Sequence, residues 1–235
     1  LIGDSHMASI SFDLKSRIQN SQFIPITKGG FFYFEGDKIK LINKKNKKVN
    51  FAFEKFNKII NTELNTSESI IILGGASSLY FYDKRFPERP TRWEYQYTNI
   101  DSLKFDSNLL ENIFYRQLKE ITKKNHVILL YPIPEIGSNI FQNLRKLRSF
   151  EYSYDDYLSV NKQVIDYFDS IELKNLVKVK PADILCDKKN NLCPVIDFKN
   201  KTLIYSDPTH PSLEGAEMIN DLIIKEIEKI KMLEN

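Results

Sequence analysis

Short apolar runs alternate with stretches of helical period along this chain, and that alternation limits the fold more than any other feature. The runs are Leu1-Ile2-Gly3, Phe23-Ile24-Pro25-Ile26, Ile70 to Leu73, Val127 to Tyr131 and Leu176 to Val179. Each has the length of a buried strand. Between them, Ala8 to Ile18 can form a helix, and Phe53, Phe56, Ile60 and Leu64 fall on one helical face with Asn50 as a plausible N-cap. The same spacing returns at Leu110, Ile113, Gln117 and Ile121, and again at Tyr157, Val160, Val164, Phe168 and Ile171. A closing helix shows Ala216, Ile219, Ile223, Ile227 and Ile230, with Ser212 placed to cap it. Strands linked by amphipathic helices build a parallel sheet covered on both sides. The expectation is a doubly wound, three-layer α/β/α fold in a single domain over residues 1–235.

Three stretches break the rhythm. Phe31 to Phe34 and Lys38 to Ile42, separated by Gly36-Asp37, read as a small ribbon. Ser77 to Leu103 shows no period and carries prolines, arginines and aromatics, so it reads as a long irregular excursion after the third core strand. Pro132 to Phe150 reads as a second irregular segment. No internal repeat is visible, which argues against a solenoid.

Charge and composition narrow the function. Thirty-four Lys and Arg against thirty-one Asp and Glu leave a net charge of +3, too weak a field to argue for nucleic acid. The basic cluster Lys44-Lys45-Asn46-Lys47-Lys48 reads as a solvated hairpin turn in preference to a polyanion site. No apolar stretch reaches the ~18–20 residues that span a bilayer. Leu1-Ile2-Gly3 looks like the tail of a longer strand, so the natural protein is expected to continue upstream, where an anchor or export signal has room. Ser5-His6-Met7-Ala8-Ser9 resembles a cloning linker, yet it follows Leu1-Ile2-Gly3-Asp4, which makes sense as native sequence.

In a doubly wound sheet ligands bind beyond the carboxyl ends of the strands, so the residues just after each strand are the informative ones. Ser5 stands after the first strand and before a helix, where a tight turn exposes the hydroxyl near backbone N–H groups. A serine there still needs a base. Of the three histidines, His126 opens a strand and His6, next to Ser5 in sequence, should point elsewhere; His210 remains. It lies in Asp207-Pro208-Thr209-His210-Pro211-Ser212, a loop stiffened by two prolines just before the last helix. Asp207, three residues ahead, can reach one imidazole nitrogen and leave the other for the serine proton. The plain alternative is a turn-capping Asp207 and a surface His210.

These two blocks resemble the GDSL/SGNH hydrolase superfamily, Leu1 to Ser5 matching its first block and Asp207 to His210 its last. The similarity is closest to SGNH domains attached to membrane O-acyltransferases of the acyltransferase-three family, which modify cell-surface glycans. In that branch a His follows the serine, as His6 does, and a cysteine pair precedes a Tyr-x-Asp-x-x-His-x-Ser-x-x-Gly-Ala stretch. Here those positions are Cys186 and Cys193, then Tyr205, Asp207, His210, Ser212, Gly215 and Ala216. Phe31 to Leu64 and Ser77 to Ser107 carry no such likeness. The resemblance implies a catalytic set of Ser5, Asp207 and His210, with no metal or cofactor. It also implies a periplasmic or other extracytoplasmic site, tethered by an upstream transmembrane acyltransferase domain in the same polypeptide.

The likeness fails at one place. Superfamily members follow the third strand with Gly-x-Asn-Asp, whose Asn donates to the oxyanion, where this chain has Gly74-Gly75-Ala76-Ser77. Losing one such donor typically costs ~10²–10³ in rate. Candidate donors in its place are Ser5, Gly29 or Gly30, Gly75, and Ser77 or Ser78. Cys186 and Cys193 enclose six residues that read as a β-turn, a spacing that matches no usual zinc pattern, so a disulfide is favoured over free thiols. A disulfide belongs to an oxidising compartment. Arg85, Arg89, Arg92, Trp93, Tyr95 and Tyr97 in the excursion form either a sugar-binding wall, with Arg92 and Trp93 its foremost residues, or a lid over the sheet. Three functions follow as expectations. The first is an O-acetyltransferase domain that takes an acyl group from a donor to a cell-envelope glycan acceptor. The others are an acetyl esterase on the same site and a glycan-binding domain with a relict triad.

Overall fold

The computed structural model describes residues 1–18, 21–34, 39–43, 45–64, 68–85, 93–99, 102–104, 106–137, 152–197 and 200–234, with the backbone alone described in 93–99 and 102–104. Five strands form the central sheet: β1 (Ile2–Gly3), β2 (Ile26–Thr27), β4 (Ile70–Gly74), β7 (His126–Leu130) and β8 (Leu176–Val179). Their order is β2-β1-β4-β7-β8 and every pairing is parallel. The order reverses between β1 and β4, and a doubly wound sheet opens a crevice at such a switch point.

Helices cover both faces. Helix α1 (Ser5–Arg17) and α7 (Leu213–Glu234) lie on one side. On the other lie α2 (Phe51–Leu64), α3 (Ser77–Tyr82), α4 (Ser107–Ile121) and most of the apolar face of α5 (Tyr154–Ser170). A one-turn helix, α6 (Ala182–Leu185), follows β8. Strand residues alternate between the faces, as the pleat requires: Ile71 and Leu73 go to one core, Ile72 to the other. Val127 and Leu129 divide from Ile128 and Leu130 in the same way.

The capping reading holds. Asn50 accepts from Ala52 N at 3.1 Å ahead of α2, and Ser212 Oγ accepts from Gly215 N at 3.1 Å ahead of α7. The start of α1 is earlier than expected, at Ser5 in place of Ala8, because Asp4 acts as the N-cap and accepts from His6 N. Met7, fully buried between the two layers, belongs to the fold, which disposes of the cloning-linker resemblance. The second strand shrinks to Ile26–Thr27; the proline at 25 has no N–H to give a ladder.

Two expectations are corrected. Phe31 to Phe34 is not a strand: all four side chains are buried, which no pleated edge permits, and side-chain amides from Asn57 and Gln117 serve the Phe34 and Tyr33 carbonyls. The strand expected opposite it does form, as β3 (Ile39–Asn43), but pairs antiparallel with β5 (Trp93–Asn99), which pairs in turn with β6 (Ser102–Lys104). Ser77 to Leu103 is accordingly less irregular than that reading: it holds α3 and most of this hairpin, and β5 does alternate in sequence, Trp93, Tyr95 and Tyr97 against Glu94, Gln96 and Thr98. The basic cluster makes a turn closed by Asn43 N to Lys48 O, with Lys45, Lys47 and Lys48 exposed. Pro132 to Gly137 carries no regular structure, and 138–150 lies outside the described residues.

Near the carboxyl end, Cys186 and Cys193 are joined in a disulfide around a turn in which Asp187 and Leu192 exchange backbone hydrogen bonds. A two-stranded ribbon of β9 (Ile196–Asp197) and β10 (Thr202–Leu203) then leads to the last loop. Among the described residues no helix is long and apolar enough to cross a membrane.

Candidate active site

Ser5 is the first residue of α1, directly above β1 at the switch point of the sheet. Its turn is held by Asp4, whose carboxylate is 1% exposed and accepts three hydrogen bonds: His6 N at 2.9 Å, Ala76 N at 2.9 Å and Tyr80 Oη at 2.8 Å. Asp4 therefore ties the first turn of α1 to the loop after β4 and to α3. A buried carboxylate is tolerated because its lone pairs are used.

The other half of the site comes from the loop before α7. A Cβ at Gly215 would stand 2.1 Å from Ile204 O, so only glycine lets the first turn of α7 press against the segment that feeds this loop. Ser206 N bonds to His210 O at 3.0 Å and closes the loop. Asp207 Oδ1 accepts from Thr209 N at 2.8 Å and His210 N at 2.9 Å, which fixes the carboxylate inside its own turn. The loop after β7 clamps the far side: Ile136 N and Gly137 N both donate to Pro208 O, at 3.0 and 3.1 Å.

These constraints bring Ser5, Asp207 and His210 together across 205 residues of chain. His210 Nδ1 lies 2.7 Å from Asp207 Oδ2, and His210 Nε2 lies 2.8 Å from Ser5 Oγ. The tautomer that satisfies both contacts carries its hydrogen on Nδ1 and leaves Nε2 to accept from the serine. Thr209 Oγ1 adds a second contact to Nδ1 at 3.1 Å. Burial works to raise the Asp207 carboxyl, but the hydrogen bonds from Thr209 N, the His210 side chain and His210 N outweigh it and hold the group below the usual carboxylate range. An ionised carboxylate, an imidazole and a hydroxyl in this order can move a proton off the hydroxyl.

The remaining candidates separate. The Gly29-Gly30 loop passes beside the serine: a Cβ built on Gly29 would be 4.0 Å from Ser5 Cβ, while Gly30, at φ +78°, faces open space. Gly75, at φ +143°, packs on the Asp4 carboxylate, which a Cβ there would meet at 2.9 Å. Ser77 is fully buried and its hydroxyl donates to Gly75 O at 3.2 Å; Ser78 Oγ donates to Asn161 Oδ1 at 2.6 Å. Both hydroxyls are thus engaged within the fold. Arg92 lies outside the described residues, as does the side chain of Trp93, whose backbone opens β5 opposite Asn43.

Sequence reasoning missed two features. Asp4 carried a signal, an acidic residue immediately before a helix start, but its bonds to Ala76 and Tyr80 depend on distant segments. His6, set aside as a neighbour of Ser5 that should point elsewhere, reaches Glu135 with Nε2 at 3.3 Å and packs its ring edge to face against His210.

A family profile described as an SGNH domain, fused to AT3 domains, matches residues 1–225. No curated protein matches the sequence. Among solved structures, the fold is similar to the periplasmic domain of a lipopolysaccharide acetyltransferase from Salmonella ser. Paratyphi A. The TM-score is 0.57 at 17% identity, over 97% of this chain and 82% of that one. At so low an identity the likeness speaks for the fold.

Proposed function

The chain belongs to the SGNH domains that are fused to AT3 domains, and from that premise we propose that it is an O-acetyltransferase domain acting on a cell-envelope glycan through an acyl-Ser5 intermediate. The observation that carries this reading is the unbroken line from Asp207 through His210 to Ser5, at 2.7 and 2.8 Å.

His210 Nε2 takes the Ser5 proton as Oγ attacks the acyl carbon, and the imidazolium that forms is stabilised by the ionised Asp207. The Ser5 N–H belongs to the first turn of a 13-residue helix, where amide hydrogens have no partner within the helix and the dipole favours negative charge. That is the position for the developing oxyanion, with the Gly29-Gly30 loop on its other flank. The proton on His210 then goes to the departing group of the donor. In the second half an acceptor hydroxyl enters, gives its proton to His210 and attacks the acyl-serine; collapse of the intermediate returns the proton to Ser5 Oγ.

The acyl donor is delivered by a membrane AT3 domain in the same polypeptide, and the domain works outside the cytoplasm. The AT3 fusion of the family and the Cys186–Cys193 disulfide support that placement. Hydrolysis is the competing outcome, since His210 and Asp207 side chains keep 26% and 47% of their surface open to water. An acceptor held in attack geometry overcomes water by its effective molarity.

The test supplies an activated acetyl ester together with candidate envelope glycans and counts acetyl on sugar against free acetate. Sugar-bound acetyl that vanishes in Ser5→Ala is the expected result. Acetate alone with every glycan would make the domain an esterase. Glycan binding without turnover of any ester would leave a relict triad.

A further inference from the structure

His6 takes no part in the steps above, yet it is buried against them, 4% exposed. Its Nε2 lies 3.3 Å from Glu135 Oε1, and its ring meets the His210 ring at 84° with centroids 5.2 Å apart. Among the described residues its Nδ1 has no hydrogen-bond partner. We propose that His6, anchored by Glu135, is a positioning residue for the base: it holds the His210 ring in the plane in which Nε2 meets Ser5 Oγ. The proposal rests on the catalytic reading of Ser5, Asp207 and His210.

The argument is one of degrees of freedom. Asp207 and Thr209 hold the His210 ring at Nδ1 and Ser5 Oγ holds it at Nε2; once Ser5 attacks the acyl carbon only the Nδ1 side stays gripped, and the ring can still turn about Cβ–Cγ. Water, which bathes a quarter of the His210 side chain, supplies no wall. His6 does, and it is rigid, since its backbone N is bonded to Asp4 Oδ1 at 2.9 Å in the first turn of α1. Its anchor has a second function. Glu135 sits in the loop whose next two residues, Ile136 and Gly137, donate to Pro208 O beside Asp207. One loop thus holds the His210 segment by its backbone and the neighbouring ring by its side chain, so the base is seated from two sides by the same element.

The electrostatics agree. Several charged groups face His6: Asp4 from the turn before α1, Glu135 from the loop after β7, Arg85 from the segment after α3, and His210 with Asp207 from the loop before α7. Lys84 lines the same small cleft. Burial opposes the imidazolium and Arg85 adds to that, but Asp4 and Glu135 prevail and raise His6 above the ordinary histidine value. A His6 ring drawn toward protonation binds Glu135 more firmly, which keeps the wall beside His210 in place.

The test measures kcat and KM of the domain on a small activated acetyl ester across a pH series, with melting curves to count folded protein and Ser5→Ala as the zero. His6→Ala is expected to lower kcat about 10–100-fold with KM within about twofold, the signature of a misplaced group and not of lost binding. His6→Phe, which restores a ring edge, should recover part of that loss. Glu135→Gln, a near-isosteric change at a partly exposed side chain, should lower kcat several-fold in fully folded protein. The proposal is overturned if His6→Ala and Glu135→Gln keep wild-type kcat. It is equally overturned if kcat falls only in step with folded protein. An active Ser5→Ala would instead remove the catalytic reading beneath it.

Discussion

The two faces of the sheet are packed by different residues. One core is aromatic: Phe32, Phe34, Phe81, Phe114 and Phe168 interlock, with Phe114 centroids 5.5, 5.3 and 5.8 Å from those of Phe32, Phe81 and Phe168. The opposite core is mainly aliphatic, with Met7, Ile10 and Leu14 of α1 set against Ala216, Ile219, Ile223 and Ile227 of α7. The aromatic side is contributed by the middle of the chain, including Phe31 to Phe34, which form no regular element. Large rings fill the uneven space that such segments leave. The aliphatic side joins the beginning of the chain to its end, and Ser5 and His210 stand at the tops of the two helices that meet there. Asn220 Nδ2 stitches those helices, donating to Ile10 O and Asp13 Oδ2 at 2.9 Å each, and Arg17 spans Asp13 and Asp221. The difference teaches that one face carries stability at large while the other also sets the distance on which the proposed chemistry depends.

The sharpest probe of that division is Asp207→Asn, which should lower kcat about 10⁴-fold by favouring the wrong imidazole tautomer. Melting temperature should barely move, since Asp207 is half exposed. On the aromatic face Phe114→Ala should do the reverse. It empties a fully buried site and should cost about 3–5 kcal/mol in denaturant unfolding, with kcat per folded molecule near wild type. A fall in kcat comparable to that of Asp207→Asn would break the division. Asn220→Ala is the intermediate and smallest case. Loss of a buried donor to two acceptors should cost about 1–3 kcal/mol, and because the lost bonds join α1 to α7, kcat per folded molecule should fall as well, by a few-fold. A purely thermodynamic effect at Asn220 would show that the Pro208 clamp and the Asp4 turn place Ser5 and His210 without help from the helix pair.

Much of this was legible in advance. The period of the apolar residues announced the parallel sheet and its helices, and the turn chemistry after the first strand and before the last helix singled out Ser5, Asp207 and His210. Those signals are local, carried by residues within a few positions of one another. The β3–β5 pairing was not legible because it joins segments about fifty residues apart, and two short strands carry no instruction about which partner each will take. The same holds for Ser77 and Ser78. As sequence they were hydroxyls beside a glycine turn; in the fold their oxygens are turned inward to Gly75 and Asn161.

The sequence by itself therefore determined the layer architecture and the chemical types at the site, because strand and helix periods and turn residues act over a few bonds. Only the tertiary structure decided that Asp4 would bind Ala76 and Tyr80, that Glu135 would reach His6, and that His6 would lie against His210. Each of those contacts is made between separate segments of chain, and their distances are set by how α1, α3, α7 and the loop after β7 pack at the switch point of the sheet.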